Sequence, residues 1–544
     1  MNHSRIQRML LGKYAETDIN FEGLAQDIGP QTEWGKTKLV SYFRNCVDDI
    51  ELLEKRRNVI IKLRQYFRNE PQEKKDALRL LEKAKELEAA LKESDKSGEE
   101  DERLKEYYAQ ILWEKNSWFA FLNENPWWLE ASNIWKVWLL PAMTMIIPLI
   151  IIVIPYVVLK LTTEAELSVP EYWELLQKIL HQNGGQGNMI AGMLIPPWSQ
   201  PPGTVSQIGQ RWMQWCLSIF MFGSSIWQQI TLSQHLHKIT QDMRIRGQHI
   251  IELQDIYIKL SKMVRPVIEK YMDLPDNQRI PGENTLQIFG SVWNNPSLLE
   301  GLTTNVGILD VMITTASLKG IGFPTYASSN TSSNTSSNEF KLERFYHPHM
   351  RTIGVKPITN TLELTDKTHS LITGPNRGGK STSLKGVLAN VILAQSLGIC
   401  FAKSMKFAPF QQIHTALSPS DTLGRLSLFE AEIEFAKEIL GHAKQDERCL
   451  IVMDEIFHST NALDGEEASR IFLDKLYAQS GVMSLISTHY VKLPEKYAEN
   501  FVKPLCLHAT MGPDSTLKYS YRMCDGINSL SSVREILQER GLLT

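Results

Sequence analysis

The segment Gly374-Pro-Asn-Arg-Gly-Gly-Lys380-Ser381 limits what this chain can fold into more than any other stretch. It satisfies the pattern G-x-x-x-x-G-K-[ST], after the apolar run Ser370 to Thr373 and before the helix-like run Ser381 to Leu397. Backbone N–H groups at such a turn, aided by the helix N-terminus, cradle phosphates. Lysine then reaches the β- and γ-phosphates, and the hydroxyl ligates Mg²⁺. Gly374, Pro375, Asn376, Arg377, Gly378, Gly379, Lys380, Ser381 and Thr382 are therefore candidate nucleotide-binding residues, with Ser381 also a metal ligand. From Phe345 onward, short apolar strands alternate with helices, including Cys449 to Met453 and Ser484 to Ile486. That alternation predicts an α/β domain with a mainly parallel sheet.

Downstream, Cys449-Leu-Ile-Val-Met-Asp454-Glu455 is an apolar strand ending in two carboxylates. Asp454 is a candidate Mg²⁺ ligand, and Glu455 is placed to orient an attacking water. An Asp-Glu pair after a strand can equally cap a helix, and the upstream P-loop decides for the catalytic reading. A third strand ends in Ser487-Thr488-His489, where the histidine would sense the γ-phosphate. ATP and Mg²⁺ are the cofactors this set calls for.

Taken together, GPNRGGKST, SLFEAE, CLIVMDE, NALDG and STHY resemble, in order, the ATPase domain of the MutS family, relatives of the ABC ATPases; the likeness runs from about Leu342 to Leu543. Tyr346-His347-Pro348 resembles that family's lead-in. Weaker similarity covers Thr32 to Leu39, Glu54 to Arg57 and Gly307 to Val311, which look like the two ends of a helical core and lever region. The resemblance implies that Lys380, Ser381 and Thr382 bind phosphates and Mg²⁺, with Asn376 also in the loop. It further implies that Asp454 and Glu455 are the Walker B pair and that His489 is the switch histidine. Ser427 would be a signature serine reaching nucleotide on the opposing subunit, and Asp464 would lie at the dimer interface. A homodimer with composite sites follows. The chain departs from the family at Ile456-Phe-His-Ser-Thr460, where glycines are usual, and before Ser427, where it is about one residue short. Pro357 stands where an aromatic residue often stacks on adenine. The resemblance starts near the core region, so the mismatch-recognition and connector domains are expected to be absent.

Length and charge bound the rest. At 544 residues, 43% hydrophobic, several packed cores are expected, and the net charge of -3 gives no global basic field, so any DNA contact must come from a local patch. The 6 cysteines form no C-x-x-C pair, so neither a zinc site nor a disulfide framework is suggested. No cleavable signal is visible at Met1 to Lys13. Val137 to Leu159 is uncharged between Lys136 and Lys160, and Trp212 to Leu232 is likewise uncharged. A membrane helix needs about 20 apolar residues, so both read as transmembrane spans. Most of the 13 tryptophans lie between Trp113 and Trp227, as at a membrane interface, and the basic residues after Leu232 place the C-terminal half in the cytoplasm.

The expected fold is an α/β P-loop NTPase (ABC-type) C-terminal domain plus an all-α core/lever region interrupted by a transmembrane helical hairpin. Its parts are a helical first half at 1–112, a membrane region at 113–232 (spans 137–159 and 212–232, loop 160–211) and a helical second half at 233–325. A Ser/Asn linker at 326–340, with sequons at Asn330 and Asn334, precedes the ATPase domain at 341–544. The expected function is a membrane-anchored, dimeric, Mg²⁺-dependent ATPase that moves its levers and spans, contacting lipid and an unidentified protein partner. The alternatives are a membrane-tethered DNA-binding repair or recombination protein, and a transport-related ATPase.

Overall fold

The computed structural model describes residues 9–93, 106–162, 168–182, 197–199, 203–274, 279–327, 339–365, 368–417, 428–442, 447–499, 502–512 and 516–542. Ser427, the Ser/Asn linker with Asn330 and Asn334, and most of the loop 160–211 lie outside them. Packing divides the chain into one unit of Met1–Glu88, Ile256–Asn277 and Leu302–Thr544 and another of Ala89–Asp255 with Gln278–Gly301.

The first unit holds strands β1 (Leu10–Leu11), β2 (Pro324–Tyr326), β3 (Phe340–Phe345), β4 (Asn360–Leu364), β5 (His369–Thr373), β6 (Ser404–Phe407), β7 (Gln412–Ala416), β8 (Cys449–Met453), β9 (Val482–Ser487), β10 (Val502–Met511) and β11 (Leu517–Asp525). They form a seven-stranded sheet in the order β1-β7-β8-β9-β5-β10-β11, parallel except for the β10–β11 pair. A four-stranded mixed sheet runs β2-β6-β3-β4. Strands β5, β8 and β9 are buried along their whole length, which is why none of them shows the alternation of a strand with one face in water. The helix Lys380–Leu397 is buried on nearly every side from Ser383 onward, so it too lacks a polar face. It stops at Gly398 in the left-handed region (φ 72°), where a Cβ would sit 2.7–2.9 Å from Arg57.

In the same unit the two segments that resemble the ends of a helical core interlock. Thr32 caps the helix Glu33–Arg44 by accepting from the Gly35 amide at 2.9 Å. Its own amide and hydroxyl donate to Asp310 of the helix Ser297–Ser317 at 2.8 and 2.7 Å. Glycine is required at the crossing on both sides: a Cβ on Gly35 would lie 2.5 Å from the Asp310 carboxylate, and one on Gly307 2.8 Å from the Trp34 carbonyl.

The second unit is helical. Tyr108, Leu112, Leu129, Val137, Leu236, Ile239 and Met243 make its core, drawn from the stretch 106–112, the helix Pro126–Ile134, the turn after it and the long helix Val205–Ile268. Arg244 binds Glu130 at 2.8 Å, and Tyr108 donates to Asp242.

This unit corrects the expected transmembrane hairpin. Among the described residues no helix is long and apolar enough to cross a membrane. An uncharged run in sequence is not the same thing as an apolar helix of bilayer length. The start of the proposed span 137–159 winds as a π-helical turn, Trp135–Leu139, and Val137 is packed in the protein core at 3% exposure. Segment 212–232 is an internal stretch of the 64-residue helix Val205–Ile268, which continues through Lys238, Arg244 and Arg246. The hairpin part of the fold class and the integral-membrane location fall with the spans, and the lipid contact is left without support.

Candidate functional site

The phosphate-binding turn follows from the backbone demands of Gly374 to Lys380. Strand β5 ends at Thr373, and Gly374 (φ 147°), Arg377 (φ 64°) and Gly379 (φ 93°) take left-handed conformations that turn the chain into the helix Lys380–Leu397. A Cβ on Gly374 would meet Leu507 at 3.3 Å. Ser381 and Thr382 stand exposed in the first helical turn, where unpaired N–H groups and the helix dipole favour an anion. Pro375 accepts from the Gly378 amide at 3.0 Å, closing the loop. Asn376 lies in this turn, and Arg377 reaches out of it to Glu539 at 2.5 Å.

Lys380 is 4% exposed and donates to the Gly374 carbonyl at 3.0 Å. Burial lowers its pKa, although Glu455 and Asp454 pull the other way. The same ammonium lies 3.6 Å from Glu455 Oε1. His489 Nε2 contacts that same carboxylate oxygen at 2.7 Å. The His489 hydrogen bond leads in holding Glu455 down at about 2, against the opposing effect of burial and with help from the charges of His489 and Lys380. Lys380, Glu455 and His489 therefore converge at the turn.

Asp454 follows β8 directly and accepts from Ser487 at the end of β9, while Ser487 Oγ accepts from the Glu455 amide at 2.9 Å. Ser487 thus sets both carboxylates, a role the sequence motif did not reveal. Among the described residues no cluster of three His, Cys, Asp or Glu could hold a metal. Mg²⁺ at a nucleotide takes one or two protein oxygens and completes its shell with phosphate and water. The oxygens of Ser381 and Asp454 are donors of that kind, and Asp454 is close enough to act on Lys380.

Glu455 (φ 55°) and Phe457 (φ 49°) are left-handed without being glycine, strain of about 1 kcal/mol or more each. Four contacts pin this turn. Tyr490 donates to the Phe457 carbonyl at 2.9 Å, Ser459 donates to Glu432 Oε2 at 2.7 Å, and His458 Nδ1 lies 2.8 Å from the Glu455 carbonyl and 3.1 Å from Glu432 Oε1. Both neighbours of that nitrogen are acceptors, so Nδ1 carries the proton. Glu432 stands on the helix Leu428–His442, next to the region of Ser427. Asp464 sits in the first turn of the helix Ala462–Tyr477, capped by Asn461, beside Leu463 at 81% exposure.

A cleft of about 320 Å³ opens beside the P-loop, bounded by Tyr346, His347, Pro357, Ile358, Thr382 and Tyr521. Pro357 lies in it, as its place in sequence suggested. Tyr521 was not foreseen: it arrives from β11, and its ring lies 3.3 Å from where a Gly379 Cβ would be. No local pattern around Tyr521 marks it, because only the β10–β11 pairing brings it there.

Residues 370–537 match the family model described as MutS domain V. The chain is 30% identical over 202 residues to a DNA mismatch repair protein MutS of Shouchella clausii, covering 36% of this chain and 22% of that protein. It is 27% identical over 298 residues to an Endonuclease MutS2 of Staphylococcus aureus, covering 53% of this chain and 36% of the relative. A MutS of Lactobacillus delbrueckii subsp. bulgaricus is 34% identical over 167 residues, 30% of this chain and 19% of its own length. The chain thus spans well under half the length of these relatives, and the family likeness is carried by the region that holds the P-loop.

Proposed function

We propose that this chain is a MutS-like, Mg²⁺-dependent ATPase working as a homodimer with composite sites. The observation that carries the reading is the meeting of Lys380, Glu455 and His489 at a glycine-rich turn on a helix N-terminus. Lys380 would exchange the Gly374 carbonyl and Glu455 for the β- and γ-phosphates. Glu455, ionised by its neighbours, would then accept a hydrogen bond from the attacking water, while His489 reports on the γ-phosphate. Mg²⁺ held by Ser381 and Asp454 would neutralise charge on the β- and γ-phosphate oxygens. The base would occupy the cleft of Pro357 and Tyr521, beside the loop residues Gly374 to Thr382. Ser427 would complete the partner's site, and exposed Leu463 beside Asp464 supports a contact surface there.

Turnover by the purified protein tests this. Lys380→Ala and Glu455→Gln should each reduce ATP hydrolysis at least about a hundredfold, about 2.7 kcal/mol of barrier, with Glu455→Gln retaining ATP binding. Wild-type turnover in either variant refutes the assignment. A second reading, an ATPase coupled to DNA, is favoured by the printed names of the mismatch repair and endonuclease relatives. It requires stimulation by duplex or branched DNA that weakens steeply with salt.

A further inference from the structure

Four cations line a second cleft of the first unit, which shares no residue with the nucleotide cleft. Arg64 and Arg68 come from the helix Ile50–Asn69, Lys74 from the helix that follows, and Lys319 from the turn after the helix Ser297–Ser317. The cleft measures about 510 Å³, no carboxylate lines it, and Phe67 and Phe323 form apolar wall. Arg64 and Arg68 are four residues apart on one helix face, so their presence together is a feature of the local sequence.

The bland account of such a cluster is compensation of a helix C-terminus. It covers part of what is seen: Arg64 donates to the Leu318 carbonyl at 2.9 Å and Lys74 to the Ser317 carbonyl at 3.3 Å. It also reaches Arg68, which stands in the last turn of its own helix Ile50–Asn69, and leaves Lys319; neither has an ion pair among the described residues. The two helix ends together carry only about one negative charge, so four cations still exceed what they call for. Their mutual repulsion is felt, since after burial the charges of Lys319 and Arg64 push the Lys74 pKa down. In addition, the Ser317 hydroxyl is a buried polar atom with no partner. Like charges gathered in a concave site with a spare hydroxyl are satisfied by a multiply charged anion.

We propose that this cleft binds phosphate, through Arg64, Arg68, Lys74, Lys319 and the Ser317 hydroxyl. The phosphate belongs either to a small phosphorylated molecule or to a nucleic-acid backbone, and the chemistry of recognition is common to both. This goes beyond the ATPase reading, since it uses none of the P-loop residues. It also supplies the local basic patch that a chain of net charge -3 would need for any polyanion.

Arg68→Glu and Lys319→Glu are the informative variants, because neither side chain bonds the backbone in this structure and the helix-end contacts of Arg64 and Lys74 remain. Full-length wild type and both variants would be titrated calorimetrically with inorganic tripolyphosphate, with the P-loop saturated by a non-hydrolysable ATP analogue. A 20-base-pair duplex would be titrated in parallel across a salt series. The expected result is a loss of about tenfold or more in affinity for one of the two probes in each variant, with unchanged thermal midpoint and unchanged ATP turnover. Loss for tripolyphosphate identifies a small phosphorylated ligand. Loss for duplex alone, with a shallower salt slope, identifies a backbone phosphate. Equal binding of both probes by wild type and variants, or no binding by wild type, overturns the proposal, and turnover of the wild type reports separately on the ATPase site.

Discussion

Glu455 and Lys380 show how the same neighbourhood moves two groups by different causes: hydrogen bonding dominates for the half-exposed carboxylate and burial for the lysine. Their pairing, 3.6 Å apart, favours the forms that the proposed hydrolysis would use, an ionised acceptor and a cation within reach of the turn. Deeper in the sheet, His369 on β5 is 3% exposed, touches Ser484 Oγ at 2.9 Å and packs on Tyr477 at 4.4 Å between ring centres. Burial pushes its pKa down to about 4 from the ordinary 6.5. Between these values the unfolded chain binds a proton that the folded protein refuses. The contribution is therefore whole above about pH 6.5 and is lost progressively as pH falls towards 4, about 3 kcal/mol for this site. Chemical denaturation at a series of pH values should show stability falling across that window, and His369→Gln should flatten the fall. His347 and His414, also held near 4 by burial, should leave a residual slope in the variant.

At the scale of elements, what matters is which pieces are tied across the chain. The helix Leu428–His442 reaches the turn after β8 through Glu432, whose carboxylate takes Ser459 and His458 on its two oxygens. If that helix moves when nucleotide is engaged at Ser427, the tie transmits the movement to the strained backbone of Glu455. Glu432→Ala should then lower kcat by about tenfold, about 1.4 kcal/mol, with ATP affinity unchanged. His458→Ala combined with it should cost little more than Glu432→Ala alone, because both remove one connection. A comparable fall in ATP affinity in both single variants contradicts a positioning role. The second tie is Asp310, 0% exposed, which accepts from Thr32 twice, from Gln31 at 3.1 Å and from Thr314 at 2.9 Å. Burial raises its pKa against these bonds. Asp310→Ala leaves several buried donors without an acceptor and should destabilise the unit by about 3 kcal/mol, read from the shift of a urea midpoint.

For the whole molecule, what could be read in sequence was what local spacing dictates. The P-loop, the carboxylates after β8 and the histidine after β9 each depend on a strand, a turn and a few consecutive residues, and the fold brings them together. The contacts of Glu432 with His458, of Tyr521 with Gly379 and of β1 with β7 join segments from tens to hundreds of residues apart, and no short pattern encodes them. The membrane reading failed for a related reason: lack of charge in 137–159 and 212–232 says nothing of whether Val137 is packed against Leu129 and Ile239. Dimerisation lies at this scale, and the composite-site proposal makes a test that single chains cannot pass. Lys380→Ala removes the phosphate grip of its own subunit, whereas Ser427→Ala removes what that subunit gives its partner. In a symmetric dimer, a mixed pair joins an intact P-loop to an intact Ser427 at one site and both lesions at the other. Each variant alone should be inactive. An equimolar mixture, allowed to exchange subunits, should recover about a quarter of wild-type turnover, since half the dimers are mixed and each has one working site. Recovery that rises with the exchange half-time, followed by sedimentation, ties the activity to the dimer. No recovery on complete exchange would place Ser427 and Lys380 at the same subunit's site and end the composite model.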